Sequence, residues 1–148
     1  MHRYPGQGGQ EVSKRKQREG TFLKEKSQDS LIVTMMPRDT NVHGTIFGGI
    51  ILSYIDQAGA VHARREGCRN IVTVALDRVV FHEPVYVGDL VSFRTRTVKI
   101  GNTSVRVKVC VEAERYADES KITVTEAEVV YVNMDENRRP VPVPQTGR

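Results

Sequence analysis

Cysteine is nearly absent. Cys68 and Cys110 are the two in 148 residues, too few for a disulfide framework and without the spacing of a metal-ligand pair. Cys110 alternates with strand-forming residues and reads as packing. Long apolar runs are absent too: none approaches the ~18 consecutive residues of a membrane-spanning helix. The N-terminus lacks the apolar core of a secretory signal, so the expected location is a reducing cytoplasm. Excess charge is missing from most of the chain. The net charge is +4, but residues 1–30 hold seven Lys/Arg against four Asp/Glu, which leaves fifteen basic and fourteen acidic groups in residues 31–148. The body of the protein therefore has a basic surplus of only one, which gives weak support for holding nucleic acid.

What is present is organised as one domain, long enough to bury a core. Residues 1–30 contain Gly6-Gln7-Gly8-Gly9 and Ser13-Lys14-Arg15-Lys16-Gln17-Arg18 and read as a flexible basic tail. Residues 31–135 carry the patterned sequence. Residues 136–148, with Arg138-Arg139-Pro140-Val141-Pro142-Val143-Pro144, read as a Pro-rich surface tail.

Within the body, residues 31–36 read as a short strand stopped by Pro37, and the segment from Asp39 to Gly49 as a loop. From Phe47, apolar residues at 47, 50, 51, 54, 55, 58 and 61 follow helical spacing. Leu52, Gly59, Ala60 and Ala63 fill much of the other side, so the helix is a buried one. Arg64-Arg65-Glu66-Gly67 ends it. Strands follow at 71–81, 90–100, 103–116 and 122–132, with Gly101-Asn102 as a hairpin turn. Val105, Val107, Val109 and Val111 alternate with Arg106, Lys108, Cys110 and Glu112, which gives that strand one core face and one polar face. The expected fold class is α+β, an antiparallel sheet of about five strands wrapped around one long central helix.

The chemistry concentrates at the start of that helix. A polar loop and the pair Gly48-Gly49 feed into a helix N-terminus, where free N–H groups and the dipole favour negative charge. Asp56 lies about ten Å further along the axis, at roughly 1.5 Å per residue. Its helical neighbours Leu52, Ser53, Gly59 and Ala60 are small or apolar, and a carboxylate buried there without a task is costly. It suits a general base on water, or a nucleophile forming a mixed anhydride, and the sequence leaves both open. Gly48 and Gly49 let an acyl oxygen approach the backbone donors. Asn41 alone is an ordinary turn residue. His43 has no Ser or Cys partner nearby and reads as a turn or site-lining residue. His62 and His82 read as helix-end and turn residues. Arg94, Arg96, Lys99, Arg106 and Lys108 read as a solvated sheet face, or alternatively as contacts for phosphates.

Three blocks carry a resemblance. The first is Met36-Pro37-Arg38-Asp39-Thr40-Asn41 with Gly44, Ile46-Phe47-Gly48-Gly49 and Ile55-Asp56-Gln57-Ala58-Gly59. The second is Val72-Thr73-Val74-Ala75 with Phe81, Pro84, Val85 and Val87-Gly88-Asp89. The third is Val98-Lys99-Ile100-Gly101 with Thr103-Ser104. Together the chain resembles the hotdog-fold bacterial acyl-CoA thioesterases related to brain acyl-CoA hydrolase, over roughly residues 31–135. The resemblance implies hydrolysis of acyl-CoA without a metal or redox cofactor, CoA entering only as part of substrate and product. It also implies a site shared between two subunits of a homodimer, often assembled into a trimer of dimers. Carried over, the catalytic acid falls on Asp56, the partner amide on Asn41 of the neighbouring chain, and the helix-mouth N–H groups on Gly48 and Gly49. His43, Phe47, Thr73, Phe81, Lys99, Gly101, Thr103 and Ser104 fall along the substrate path, and Tyr54, Phe81 and Met35 are candidates for the acyl tunnel. The 4-hydroxybenzoyl-CoA type has Asp-Thr-Asp where this chain has Asp39-Thr40-Asn41, which disfavours that scheme. Two other functions compete for the same residues. A hotdog dehydratase needs a His and an acid placed together, and its motif is missing. A non-catalytic acyl-CoA-binding or sensor protein would have lost the base, and Asp56 is present.

Overall fold

A computed structural model describes residues 27–145. Most of the expected basic tail, residues 1–26, lies outside the described residues. The elements run β1 (Gln28–Thr34), a 3-10 turn (Pro37–Asp39), α1 (Gly48–Arg65), β2 (Asn70–Phe81), β3 (Leu90–Ile100), β4 (Ser104–Glu114) and β5 (Lys121–Met134). The strands form one sheet in the order β1-β3-β4-β5-β2, antiparallel at every pairing. α1 packs against all five strands.

The core is what the alternation dictates. Val105, Val107, Val109 and Val111 on β4 are fully buried, with Val91 and Phe93 of β3 and Val129 of β5 beside them. They face Ile51, Ile55 and Ala58 of α1. Each such side chain removed from water stabilises the fold by about 1.5–3 kcal/mol before entropy is counted. The ring of Tyr54 tilts onto Phe93 at a centroid distance of 5.7 Å. The opposite face of the sheet is a lattice of ion pairs. Arg94 meets Asp29 and Glu112, Arg106 meets Asp77 and Glu128, and Lys108 meets Glu126.

Several strand ends shift by a residue or two, and the two termini differ more from the sequence reading. β1 begins at Gln28, so the last residues assigned to the tail are strand, and Met35 and Met36 lie beyond its end. An edge strand needs only one apolar face, so the polar Gln28, Asp29 and Ser30 are compatible with it. At the other terminus, the stretch expected as a surface tail turns back on the sheet. Val141 N–H donates to the Asn133 carbonyl at 2.9 Å, Val143 N–H donates to the Asn102 carbonyl at 2.8 Å, and the Val143 side chain is buried.

β2 lies at one edge and is irregular. Its register with β5 shifts between Thr73 and Ala75 and again between Asp77 and Val80, where Arg78 has a φ of 52°. Val72, Val74, Val80 and Phe81 are exposed along it, Val74 at 54%. Such an edge presents unpaired peptide groups and apolar side chains together.

Candidate active site

The loop before α1 is held by its own backbone. Asp39 is buried, accepting the Met36 N–H on its carboxylate at 3.0 Å and the Phe47 N–H on its carbonyl at 2.8 Å. Asn41 and Thr45 close a small turn through Asn41 N–H to the Thr45 carbonyl at 2.8 Å, with Gly44 at a φ of 80°. The Asn41 amide is oriented by three bonds. Its Oδ1 accepts the N–H groups of His43 at 2.8 Å and Thr45 at 3.3 Å, and its Nδ2 donates to Thr45 Oγ1 at 2.9 Å. One Nδ2 hydrogen remains for a ligand. Ile46 N–H donates to the Val85 carbonyl at 2.8 Å and ties this turn to the loop after β2.

Phe47 is the N-cap of α1 and supplies no side-chain cap, and the first turn carries no acid. The Phe47 carbonyl accepts from Ile50 and Ile51, whereas the Gly48 and Gly49 N–H groups have no acceptor among the described residues. Aromatic rings border both glycines, and only at Gly49 would a side chain crowd its neighbour. A Cβ on Gly49 would fall 2.5 Å from the Phe47 ring, and one on Gly48 would meet the Phe81 ring at 3.5 Å. Two free donors between two exposed aromatic rings form an anion-favouring mouth.

A cleft of about 300 Å³ opens there, lined among others by Asn41, Gly48 and Phe81, with Ile46, Ile51 and Val85 as its apolar wall. His82 and Thr125 also reach it. His82 follows β2 in the turn expected for it, and it has a partner on the sheet. Its Nε2 lies 2.8 Å from Glu126 Oε2 across to β5. Of the three tunnel candidates only Phe81 lines this cleft; Met35 and Tyr54 belong to the core.

Asp56 is elsewhere in the same chain, half-buried in the middle of α1. Its Oδ1 accepts a hydrogen bond from Thr73 Oγ1 at 2.7 Å. The Tyr131 hydroxyl donates to the Asp56 carbonyl at 2.6 Å and lies 3.3 Å from Oδ1. Oδ2 has no partner among the described residues. Burial, and then the nearby Asp56 charge, push the Tyr131 phenol far above its ordinary range, so it stays a donor. The sequence reading missed Tyr131, because in alternation with valines it looks like one more core aromatic.

Gly101, Thr103 and Ser104 lie in the β3–β4 hairpin, where Gly101 N–H donates to the Ser104 carbonyl at 2.8 Å. The cross-strand row Ile100, Val105, Tyr131, Thr73 brings this hairpin to the Asp56 end of the sheet. Lys99 is exposed beside it and His43 is exposed on the loop. The phosphate alternative loses Arg94, Arg106 and Lys108, which are engaged with carboxylates. His62 lies in the last turn of α1, the helix end expected for it. It is buried, its Nδ1 lies 2.8 Å from Gln28 Nε2 and 2.9 Å from Thr95 Oγ1, and its Nε2 lies 2.8 Å from Thr97 Oγ1.

A sheet wrapped on one helix, with open backbone donors at the helix mouth and a hydroxyl-held carboxylate on the helix, defines a hotdog protein equipped for acyl transfer. Residues 43–117 match the thioesterase superfamily. The acyl-CoA thioester hydrolase YciA of Salmonella typhimurium is 38% identical over 115 residues, 76% of this chain and 86% of that one. A solved hexameric hotdog fold thioesterase of Campylobacter jejuni is 44% identical with a TM-score of 0.74, covering 79% of this chain and 90% of that one. An acyl-CoA hydrolase from Staphylococcus aureus, solved with butyryl coenzyme A, is 26% identical with a TM-score of 0.72, covering 80% of this chain and 71% of that one. It has also been solved as alanine variants of one asparagine and of one aspartate fifteen residues further on. The chain therefore belongs to the thioesterase superfamily, among its hotdog-fold acyl-CoA thioester hydrolases.

Proposed function

We propose that the protein hydrolyses acyl-CoA to free CoA and a carboxylic acid at sites built by two copies of the chain. One observation supports this reading: the residues expected to form a thioesterase site lie at opposite ends of one edge strand. Asp56 sits at the Thr73 end of β2, and Gly48 and Asn41 sit at the Phe81 end. Antiparallel pairing of two β2 edges about a two-fold axis sets the start of each strand against the end of the other. The Asp56 of one copy then meets the helix mouth and Asn41 of its partner, and the exposed valines of β2 become covered. The fifteen-residue spacing of the two Staphylococcus aureus variants is also the spacing of Asn41 and Asp56.

In this arrangement the thioester oxygen accepts from the Gly48 and Gly49 N–H groups, each such donor being worth about 3 kcal/mol at the transition state. Asn41 Nδ2 orients the water or the carbonyl. Asp56 Oδ2 deprotonates that water, or adds to the carbonyl itself and gives an anhydride that water opens. Either way one water is consumed, the C–S bond breaks, and the sulfur leaves as the CoA thiol. Phe47 and Phe81 flank the acyl group, while His43, Thr73, Lys99, Gly101, Thr103 and Ser104 border the path of CoA. The scheme uses no metal or redox cofactor, so EDTA leaves turnover unchanged. The working assembly is a dimer, three of which form a hexamer, as native mass spectrometry would show for the purified chain; its expected place is the cytoplasm.

The test is thiol release from acyl-CoA substrates of increasing chain length, followed with a disulfide indicator, for wild type and Asp56→Ala. Turnover that collapses in the variant supports the reading. Turnover that survives there removes Asp56 from the chemistry, and CoA binding with no hydrolysis at any length would make the protein a sensor instead.

A further inference from the structure

Tyr131 stands in an unusual relation to α1. The side chain is 1% exposed, and its hydroxyl enters the helix surface at Gly59, where a Cβ would fall 2.3 Å from the oxygen. Any side chain at position 59 would evict it. Inside that notch the hydroxyl donates to the Asp56 carbonyl at 2.6 Å and stands 3.3 Å from Asp56 Oδ1. The hydroxyl is thus bound into the helical turn that carries the acid.

Its strand position matters as much. Tyr131 on β5 is the direct cross-strand partner of Thr73 on β2, and Thr73 Oγ1 donates to the same Oδ1 at 2.7 Å. Immediately after Thr73 the register of β2 shifts. Two hydroxyls from paired residues therefore converge on one carboxylate oxygen and leave the other without a protein partner among the described residues.

We infer that Tyr131 is a positioning residue for the reaction: it fixes the Asp56 turn against β5 and, with Thr73, holds Oδ1 so that Oδ2 faces the thioester. The role extends the proposed function and rests on Asp56 being the reacting acid. Tyr131 touches no substrate. It acts by limiting the movement of the Asp56 turn, because its one hydroxyl proton is given to the Asp56 carbonyl. Tyr131→Phe keeps the ring that fills the core and deletes only the donor.

The experiment compares wild type, Tyr131→Phe, Gly59→Ala, Asp56→Ala and the double variant Tyr131→Phe/Asp56→Ala in steady-state acyl-CoA hydrolysis, with native mass and melting temperature recorded for each. Tyr131→Phe is expected to lose about threefold to tenfold in kcat, the scale of one net hydrogen bond, with KM within about twofold. Adding it to Asp56→Ala costs nothing further, whereas a purely structural loss would be additive. Gly59→Ala keeps the phenol but pushes it out of the notch, and shows the same loss in kcat, so the test survives if one variant folds poorly. Turnover lost in Asp56→Ala but unchanged in rate in Tyr131→Phe overturns the positioning role alone. Turnover that persists in Asp56→Ala removes the acid, and the positioning role with it.

Discussion

Thr73 and Tyr131 lie directly opposite one another on β2 and β5 and point their hydroxyls at the same helical carboxylate. The two donors differ in kind. Tyr131 is enclosed by the core, whereas Thr73 is exposed at the sheet edge, where a second copy would cover it. Replacing Thr73 by valine preserves shape and β-propensity and removes one donor. Thr73→Val is expected to lower kcat about tenfold, the scale of one hydrogen bond to a charged acceptor, with native mass unchanged. A kcat equal to wild type would show that the short Thr73–Asp56 bond has no part in turnover.

Sharing of the site between copies can be read from mixtures. Asp56→Ala and Asn41→Ala are each expected to be nearly inactive alone. Co-expressed in equal amounts, half of the dimers pair the two variants, and each such dimer holds one intact site of two, so activity returns to about a quarter of wild type. A mixture no better than the mean of the two variants would place Asn41 and Asp56 of one chain in the same site.

The phenol of Tyr131 also sets a pH dependence of stability. Its proton is held more tightly in the folded protein than in the unfolded chain, because burial and the Asp56 charge oppose ionisation. The stabilisation is fully present below about pH 10, the ordinary tyrosine range, and is lost as the pH rises through the folded value. Wild type should therefore lose melting temperature above about pH 10 more steeply than Tyr131→Phe. Parallel curves in a thermal melt series would contradict this.

Much of the architecture was legible because its signals are local. The run of Val105, Val107, Val109 and Val111 announces one buried face, and the helical spacing from Ile50 to Val61 announces the central helix. Asp56 stood out as an acid on an apolar helix. What stayed hidden depends on partners far away in the chain. His62 reads as an ordinary residue near a helix end, yet Gln28, Thr95 and Thr97 come from β1 and β3 to satisfy both ring nitrogens. The role of Tyr131 depends on a glycine seventy-two positions earlier. The Pro-rich terminus had the composition of a loose end, and only the hairpin at Asn102 and the end of β5 give its backbone somewhere to bond.

The bare edge of β2 also has a consequence for the protein in a dilute solution. Among the described residues a lone copy exposes Val74 and Phe81, at 54% and 52%, along an edge strand, and by the scheme above it owns only half of each site. Dilution then acts as an inhibitor and an aggregation hazard at once. Specific activity should fall below a threshold enzyme concentration, and the protein lost there should reappear as bound or aggregated material. A cell making too little of this chain would hold adhesive half-enzymes, so abundance itself becomes a condition for the chemistry.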